Sequence, residues 1–471
     1  MSDDMSSLSV NDFGASFKKF LEQVTTSAPT EEPFFKSQLH THFSEDPRTL
    51  PVVSQQFEKS DHPNLQLAID EYLAQGGCSA QLLGVITPHE HLGVSLSQLV
   101  IDTNGGFMSS VQPTPGPVQY VNLPLGNDQL LACVQSGLYL ISNGDLHLAV
   151  MVRGASDYSF RAGITVEVMA SDRSSAEAFL AQLRTSIRRR NIYRGRVISL
   201  VQSEDRRSLN VIFHSLPSLN RDQIILPDGL LQRIERQSIG FSQVADKLQA
   251  AGRHLKRGIL LYGPPGTGKT LTAMYLASQM PDRTIILITG RGMGLIEKSC
   301  EMARLLQPAT LILEDVDLIA EERSSDKGCS NVVLFELLNQ MDGLNEDADV
   351  LFVLTTNRPE ILESALAARP GRVDTAIEIP LPDASCRRRL FELYGKGLQV
   401  SLENLDSFIA RTQGVSAAFI RELMRKAALF AADEGQEILI CDRHLDEALY
   451  ELVELGGELT HSILGAGEAF S

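Results

Sequence analysis

Tryptophan is absent from the 471 residues, and the six cysteines (Cys78, Cys133, Cys300, Cys329, Cys386, Cys441) are widely scattered with no CxxC pair. That spacing argues against a zinc ribbon and fits reduced cytosolic thiols used in packing better than a disulfide framework. Long apolar runs are missing too. The most apolar stretches, such as LLACVQSGLYLISNGDLHLAVMV, are broken by Gly, Asn, Asp and His, so none reads as a membrane span. The amino-terminal MSDDMSSLSV has neither a basic start nor an apolar h-region, and a soluble, cytoplasmic protein with no membrane partner is the expectation. Positive charge is scarce in the first third. Residues 1–150 hold 16 Asp/Glu against 5 Lys/Arg in a chain of net charge −17, a balance that repels nucleic acid and anionic membranes.

What is present is ordinary globular material, 43% hydrophobic and 21% charged, long enough for two or three domains. Residues 1–60, rich in Ser, Thr, Pro and acids, read as a poorly ordered segment. From 61 to 200 the pattern firms into an α+β domain. LQLAIDEYLAQG is a helix ending at glycine, VQYVNLP, LYLIS, LHLAVMVRG and ITVEVMA are strands, and SSAEAFLAQLRTSIRRR is a serine-capped helix. Residues 201–223 read as a connector. Between 224 and 383 the runs GILLYG, TIILITG, TLILED and VLFVLTTN alternate with helical segments, which predicts a parallel sheet covered on both faces. Residues 384–460 read as helical throughout, and 461–471 as a tail.

The segment Gly263-Pro264-Pro265-Gly266-Thr267-Gly268-Lys269-Thr270 matches GxxxxGK[ST] completely and falls between a predicted strand and a predicted helix. Glycines let backbone N–H groups turn inward around phosphates, and the helix N-terminus adds partial positive charge. Lys269 is then placed for the β/γ oxygens and Thr270 for Mg2+. With the following Leu271 these residues form the expected nucleotide-contacting set. A second apolar strand, ATLIL, ends in Glu314 and Asp315, with Asp317 two residues on. Acids at the carboxyl end of a parallel strand lie beside the phosphate loop, where one can hold Mg2+ and another can orient water.

With VLFVLTTNRPEILESALAARPGRVDTAIEIPLPD added, residues 224–455 resemble the AAA ATPase family of the AAA+ group. The phosphate loop, acidic strand end, TTNRP and ARPGRVD occur in that family's order, and LLNQMDGL resembles another of its segments. The resemblance implies a P-loop parallel-sheet ATPase domain with a helical lid, using ATP and Mg2+. It implies that Asn357 senses the γ-phosphate, that Arg369 and Arg372 are arginine fingers reaching a neighbouring subunit, and that the active species is a ring, a hexamer by expectation. Gly414 and Ala417 match the lid's small residues near base and ribose. Phe419 stands where many relatives carry an acid, and Arg421 reads as an ordinary exposed helix arginine, with a sensor role as the alternative.

Two departures stand out. The segment after the second strand is short, and its lone candidate to grip a polypeptide is Met293 in GRGMGL, where threading relatives carry an aromatic. The acid pair is Glu-Asp, where the family usually has Asp-Glu. By alignment Glu314 takes the metal-side position and Asp315 the water-side position. In both respects the chain is similar to the mitochondrial AAA translocase of the Rieske iron–sulfur protein, which implies a ring handling its protein client otherwise than by threading. A nucleotide-gated binding ring with slow hydrolysis is one alternative. A nucleic-acid remodeller using the run Arg184, Arg188, Arg189, Arg190, Arg194 and Arg196 is another, set against a helix C-terminus with favourable dipole charges. The pairs His40/His42 and His89/His91 read as loop histidines before metal ligands.

Overall fold

The structure is a computed structural model. It describes residues 14–20, 33–87, 94–101, 113–155, 163–202, 209–289, 294–317, 337, 339–343, 348–360, 373–435 and 438–455. Two compact units are present, Met1–Ile192 with Ser203–Asn210, and Tyr193–Gln202 with Val211–Ser471. Among the described residues no helix is long and apolar enough to cross a membrane.

The first unit is an antiparallel sheet covered on both faces. Strands β1 (Val52–Phe57), β2 (Cys78–Ile86), β3 (Thr114–Gly116), β5 (Gln129–Asn143), β6 (Leu146–Arg153) and β7 (Ile164–Ala170) run in the order β1-β7-β6-β5-β2-β3, with β4 (Gln119–Gly126) paired to β5. Alternation along β5 explains the two covered faces. Leu138 and Leu140 face one core with Ala149, Met151 and Met169, whereas Tyr139 and Ile141 face the other with Val150, Val166 and Val168.

Helix α1 (Phe34–Phe43) closes the first face through Phe35, Leu39 and Phe43, one turn apart, with help from α3 (Leu96–Leu99). Helices α2 (His62–Leu73) and α4 (Arg173–Arg189) close the second through Leu65, Ala68, Ile69 and Tyr72, and through Phe179, Leu180 and Leu183. Each such Leu or Phe contributes about 1.5–3 kcal/mol by leaving water. Asn127 and Asp128, with φ of 51° and 58°, make the tight β4–β5 turn that the strand twist favours. One carboxylate lies inside. Glu167 on β7 is 7% exposed, pairs with Arg153 and accepts from the Leu96 N–H at 2.6 Å, which satisfies the N-terminus of α3.

The second unit carries a seven-stranded sheet in the order β14-β10-β13-β12-β11-β8-β9. Its strands are β8 (Val197–Gln202), β9 (Leu209–Phe213), β10 (Arg257–Tyr262), β11 (Thr284–Ile288), β12 (Ala309–Leu313), β13 (Val350–Thr356) and β14 (Thr375–Glu378). The registers from β14 through β8 are parallel, as the alternating pattern of 224–383 predicts. Helix α5 (Lys269–Ser278) connects β10 to β11, and α6 (Ile296–Leu305) lies between β11 and β12. Residues 197–202 and 209–213, expected at the end of the α+β domain and in the connector, instead form β8 and β9 of this sheet. Buried Arg283 ties three strand starts together, donating to Thr310 Oγ1, to the Ala309 carbonyl and to Asp349 at 2.7 Å. The lid follows, with α7 (Ala384–Tyr394), α8 (Leu405–Arg411), α9 (Ala417–Glu434) and α10 (Asp442–Tyr450) around Phe391, Phe408, Phe419 and Leu423. It also holds the short parallel pair Gln399–Ser401 and Leu439–Cys441.

Candidate active site

Strand β10 is buried from Gly258 to Leu261, and its carboxyl end opens into the glycine loop. Three loop glycines have φ values that disfavour other residues: 143° at Gly263, 73° at Gly266 and 98° at Gly268. Two are crowded as well. A Cβ on Gly263 would lie 2.2 Å from the Ile379 carbonyl oxygen, and one on Gly266 would lie 2.7 Å from Ser416 Oγ and 2.9 Å from Ala418 Cβ. The second contact brings the amino end of lid helix α9 against the loop, where the Ala418 N–H donates to the Gly266 carbonyl at 3.1 Å.

Helix α5 begins at the loop's end, with Gly268 as its cap. Lys269 is 5% exposed, and its Nζ donates to the carbonyls of Gly263 at 2.9 Å and Pro264 at 2.7 Å. Burial pulls its ammonium down to about 8, while Asp315 and Asp317 push it back up. This is a desolvated cation beside a ring of helix-terminal N–H groups, a combination that takes a multiply charged anion.

Strand β13 lies between β10 and β12, which gathers three carboxyl ends. Asp315 follows β12 with φ 47°, in the left-handed region. Its N–H donates to Thr355 Oγ1 at 3.0 Å, and its Oδ1 accepts from Asn357 Nδ2 at 3.3 Å. Asp317, 3% exposed, accepts at Oδ1 from Thr356 Oγ1 at 2.8 Å and from the Asn357 N–H at 3.2 Å. Burial raises the carboxyl pKa of Glu314, with Asp315 adding to it, and burial likewise raises that of Asp315, with Asp317 adding. Among the described residues Glu314 Oε1 is buried without a hydrogen-bond partner. A buried, unpaired carboxylate oxygen, a second carboxylate at Asp315 and the Thr270 hydroxyl form a hard-oxygen set that fits Mg2+.

A cavity of about 500 Å³ brings the loop, Asp315 and Asn357 together, whereas Glu314 does not line it. Its polar end is the loop from Pro265 through Thr270, with Asp315 and Asn357, and Leu271 lies on its rim. Its apolar side is lined by Ile224, Ile225 and Leu226 from the segment between β9 and β10, with Leu390 and Tyr394 from the lid. Ala417 lines it. Gly414 does not line it; its φ of 82° makes the turn before Ser416, which caps α9 by accepting from the Phe419 N–H at 3.1 Å. Phe419 is fully buried in the lid core, a position unsuited to the acid many relatives have. Arg421 is exposed, as the sequence reading had it, but it also lines the cavity. The structure therefore places this exposed arginine at the cavity.

Arg369, Arg372, Met293, His89 and His91 lie outside the described residues. Of the arginine run, Arg189 and Arg190 pair with Glu71, and Arg194 donates to the carbonyls of Leu305 and Gln307. Those bonds serve helix ends within each unit. His42 stacks edge-on against His147 and meets the Leu148 carbonyl at 3.1 Å. Among the described residues no cluster of three metal-ligating side chains occurs.

A strand, a glycine-rich anion cradle and a buried lysine opening a helix, with acids at the carboxyl end of another strand of the same sheet, define a P-loop nucleotide-binding site. Residues 259–381 match the ATPase family associated with various cellular activities (AAA). The chain thus carries an AAA ATPase-family domain. It is 38% identical over 206 residues to human ATPase family gene 2 protein homolog A, covering 41% of this chain and 23% of that protein. It is 35% identical over 227 residues to the ATP-dependent zinc metalloprotease FtsH of Mycoplasmopsis pulmonis, covering 45% and 31%. It is 28% identical over 314 residues to the proteasome-activating nucleotidase of Thermococcus onnurineus, covering 59% and 76%. The matches thus span less than a third of the first two relatives.

Proposed function

We propose that this protein is an oligomeric AAA ATPase, a hexameric ring, that couples hydrolysis of ATP to mechanical work on a protein client. The observation that carries the reading is the convergence of Lys269, Asp315 and Asn357 on one cavity that the lid also walls. The names of the relatives support it, since all three name an ATPase, ATP dependence or a nucleotidase, and two name a protease or proteasome. The first unit, residues 1–192 with 203–210, is the client or adaptor platform, because an ATPase core specifies the engine and attached parts specify the load.

In this reading the loop N–H groups and Lys269 hold the triphosphate, and Thr270, Glu314 and Asp315 hold Mg2+. Bound Mg2+ would offset charge on the β and γ oxygens. Asp315 orients the attacking water, and Asn357, hydrogen-bonded to Asp315, reports the γ-phosphate. Arg369 and Arg372 reach the nucleotide of the adjacent subunit, where planar guanidinium donors stabilise spreading phosphoryl charge. Arg421 adds a cation from the lid of the same subunit, so that loss of the γ-phosphate loosens the lid and the movement passes to the ring. Only seven residues separate β11 from α6, which supports handling of the client by some means other than an extended pore loop around Met293.

Steady-state ATP turnover of the purified protein with Mg2+ tests the proposal. Wild-type hydrolysis, lost in both Lys269→Ala and Arg372→Ala, is expected. Wild-type turnover no greater than that of these variants would favour a nucleotide-gated binding ring.

A further inference from the structure

The register of β12 with β13 ends at Leu313 opposite Leu354, yet the two chains stay joined for three residues more. The Val316 N–H donates to the Thr355 carbonyl at 3.0 Å, and the Asp315 N–H donates to Thr355 Oγ1. Asp317 then takes over. Its Oδ1 accepts from Thr356 Oγ1 and from the Asn357 N–H, and Thr356 Oγ1 in turn accepts from the Arg358 N–H at 3.0 Å. Asn357 is the first residue beyond β13, so without this carboxylate its N–H would have no strand partner to fix its direction. Asp317 does not line the nucleotide cavity, whereas Asn357 and Asp315 do.

We propose that Asp317 is a positioning residue for ATP hydrolysis, holding the Asn357 backbone so that its side-chain amide stays on the Asp315 carboxylate. The inference rests on the ATPase reading above. A buried acceptor with two neutral donors fixes direction more strictly than either bond would alone. The same contact joins the water-side acid to the chain that continues through Arg358, so the state of the γ-phosphate is read by the end of β13 as one rigid piece.

The test uses the full chain, with ATP turnover, binding of a fluorescent ADP and of a non-hydrolysable ATP analogue, and thermal unfolding. Asp317→Ala is expected to lower kcat at least about tenfold with KM changed less than about threefold, and to abolish the preference for the ATP analogue over ADP. Asp317→Asn keeps an acceptor oxygen of the same reach and should restore kcat to within about threefold of wild type. Thr356→Val removes one donor from the opposite side and should also lower kcat without weakening nucleotide binding, which keeps the inference testable if Asp317→Ala fails to fold. Unaltered kcat in both Asp317→Ala and Thr356→Val would overturn it. So would an Asp317→Asn as inactive as Asp317→Ala, since the charge and not the placement would then matter. A wild-type protein with no turnover would overturn the ATPase reading and this inference with it, whereas turnover indifferent to Asp317 overturns the inference alone.

Discussion

Exchanging the two acids, Glu314→Asp with Asp315→Glu, would restore the order usual in the family, and it should make the enzyme worse. Residue 315 sits at φ 47°. A side chain in the left-handed region costs roughly 1–2 kcal/mol, and Asp is several-fold better tolerated there than most residues. A several-fold preference corresponds to about 1 kcal/mol, which for a domain of this size lowers Tm by about 2–4 °C. Asn357 Nδ2 already lies 3.3 Å from Asp315 Oδ1. An added methylene carries the carboxylate about 1.5 Å further, so the longer acid at position 315 must fold back or displace Asn357. At position 314 the opposite happens, because the shortened acid withdraws from the place its buried, unpaired Oε1 now occupies. The exchange should therefore lower Tm by a few degrees and kcat by about tenfold, with ADP affinity little changed. Differential scanning fluorimetry and steady-state turnover measure both, and Asp315→Gly, free of the φ penalty, should not share the Tm loss. An exchanged protein with wild-type Tm and equal or faster turnover would refute the geometric account of the inverted order.

Asp315→Asn should bind ATP without turning it over and retain whatever client the ring holds in a pull-down, whereas a trap given by Glu314→Gln alone would reverse their roles. Nucleotide affinity should fall as pH rises through about 8, where Lys269 loses its proton. The loss should be about fivefold between about pH 8 and 9 by fluorescence titration, and flat in Lys269→Arg, which stays charged. The fold itself should respond with the opposite sign. The lysine's lowered pKa means that the unfolded chain binds more protons between about pH 8 and 10.5, so this group's contribution to stability rises over that window. Gly266→Ala should weaken ATP binding by at least about tenfold, because the new methyl must push Ser416 and Ala418 of the lid away. In the first unit Glu167→Ala removes one acceptor from the part-buried Arg153 and takes the Glu167 carboxylate from the Leu96 N–H. It should cost about 1–3 kcal/mol by chemical denaturation.

Both the phosphate loop and the parallel sheet were legible because each depends on local pattern. Glycine is required at 263, 266 and 268 by φ and by close approach, and a sequence shows glycine directly. The α/β character followed from period and length. The apolar end of the cavity was not legible, because Ile224–Leu226 and Tyr394 lie 168 residues or more apart in the chain and meet only through the lid's packing. That Arg421 lines the cavity was not legible for the same reason. Its helix position predicts exposure correctly, but which way the exposed face looks is decided by Ala418 docking on Gly266. The inverted acids show the limit from the other side. Two carboxylates after a buried strand offer groups for metal and water whatever their order, so the proposed chemistry does not depend on which residue type comes first. What the order encodes is a backbone angle at 315, and an angle is visible only once the turn after β12 and the end of β13 are seen held together by Asp317.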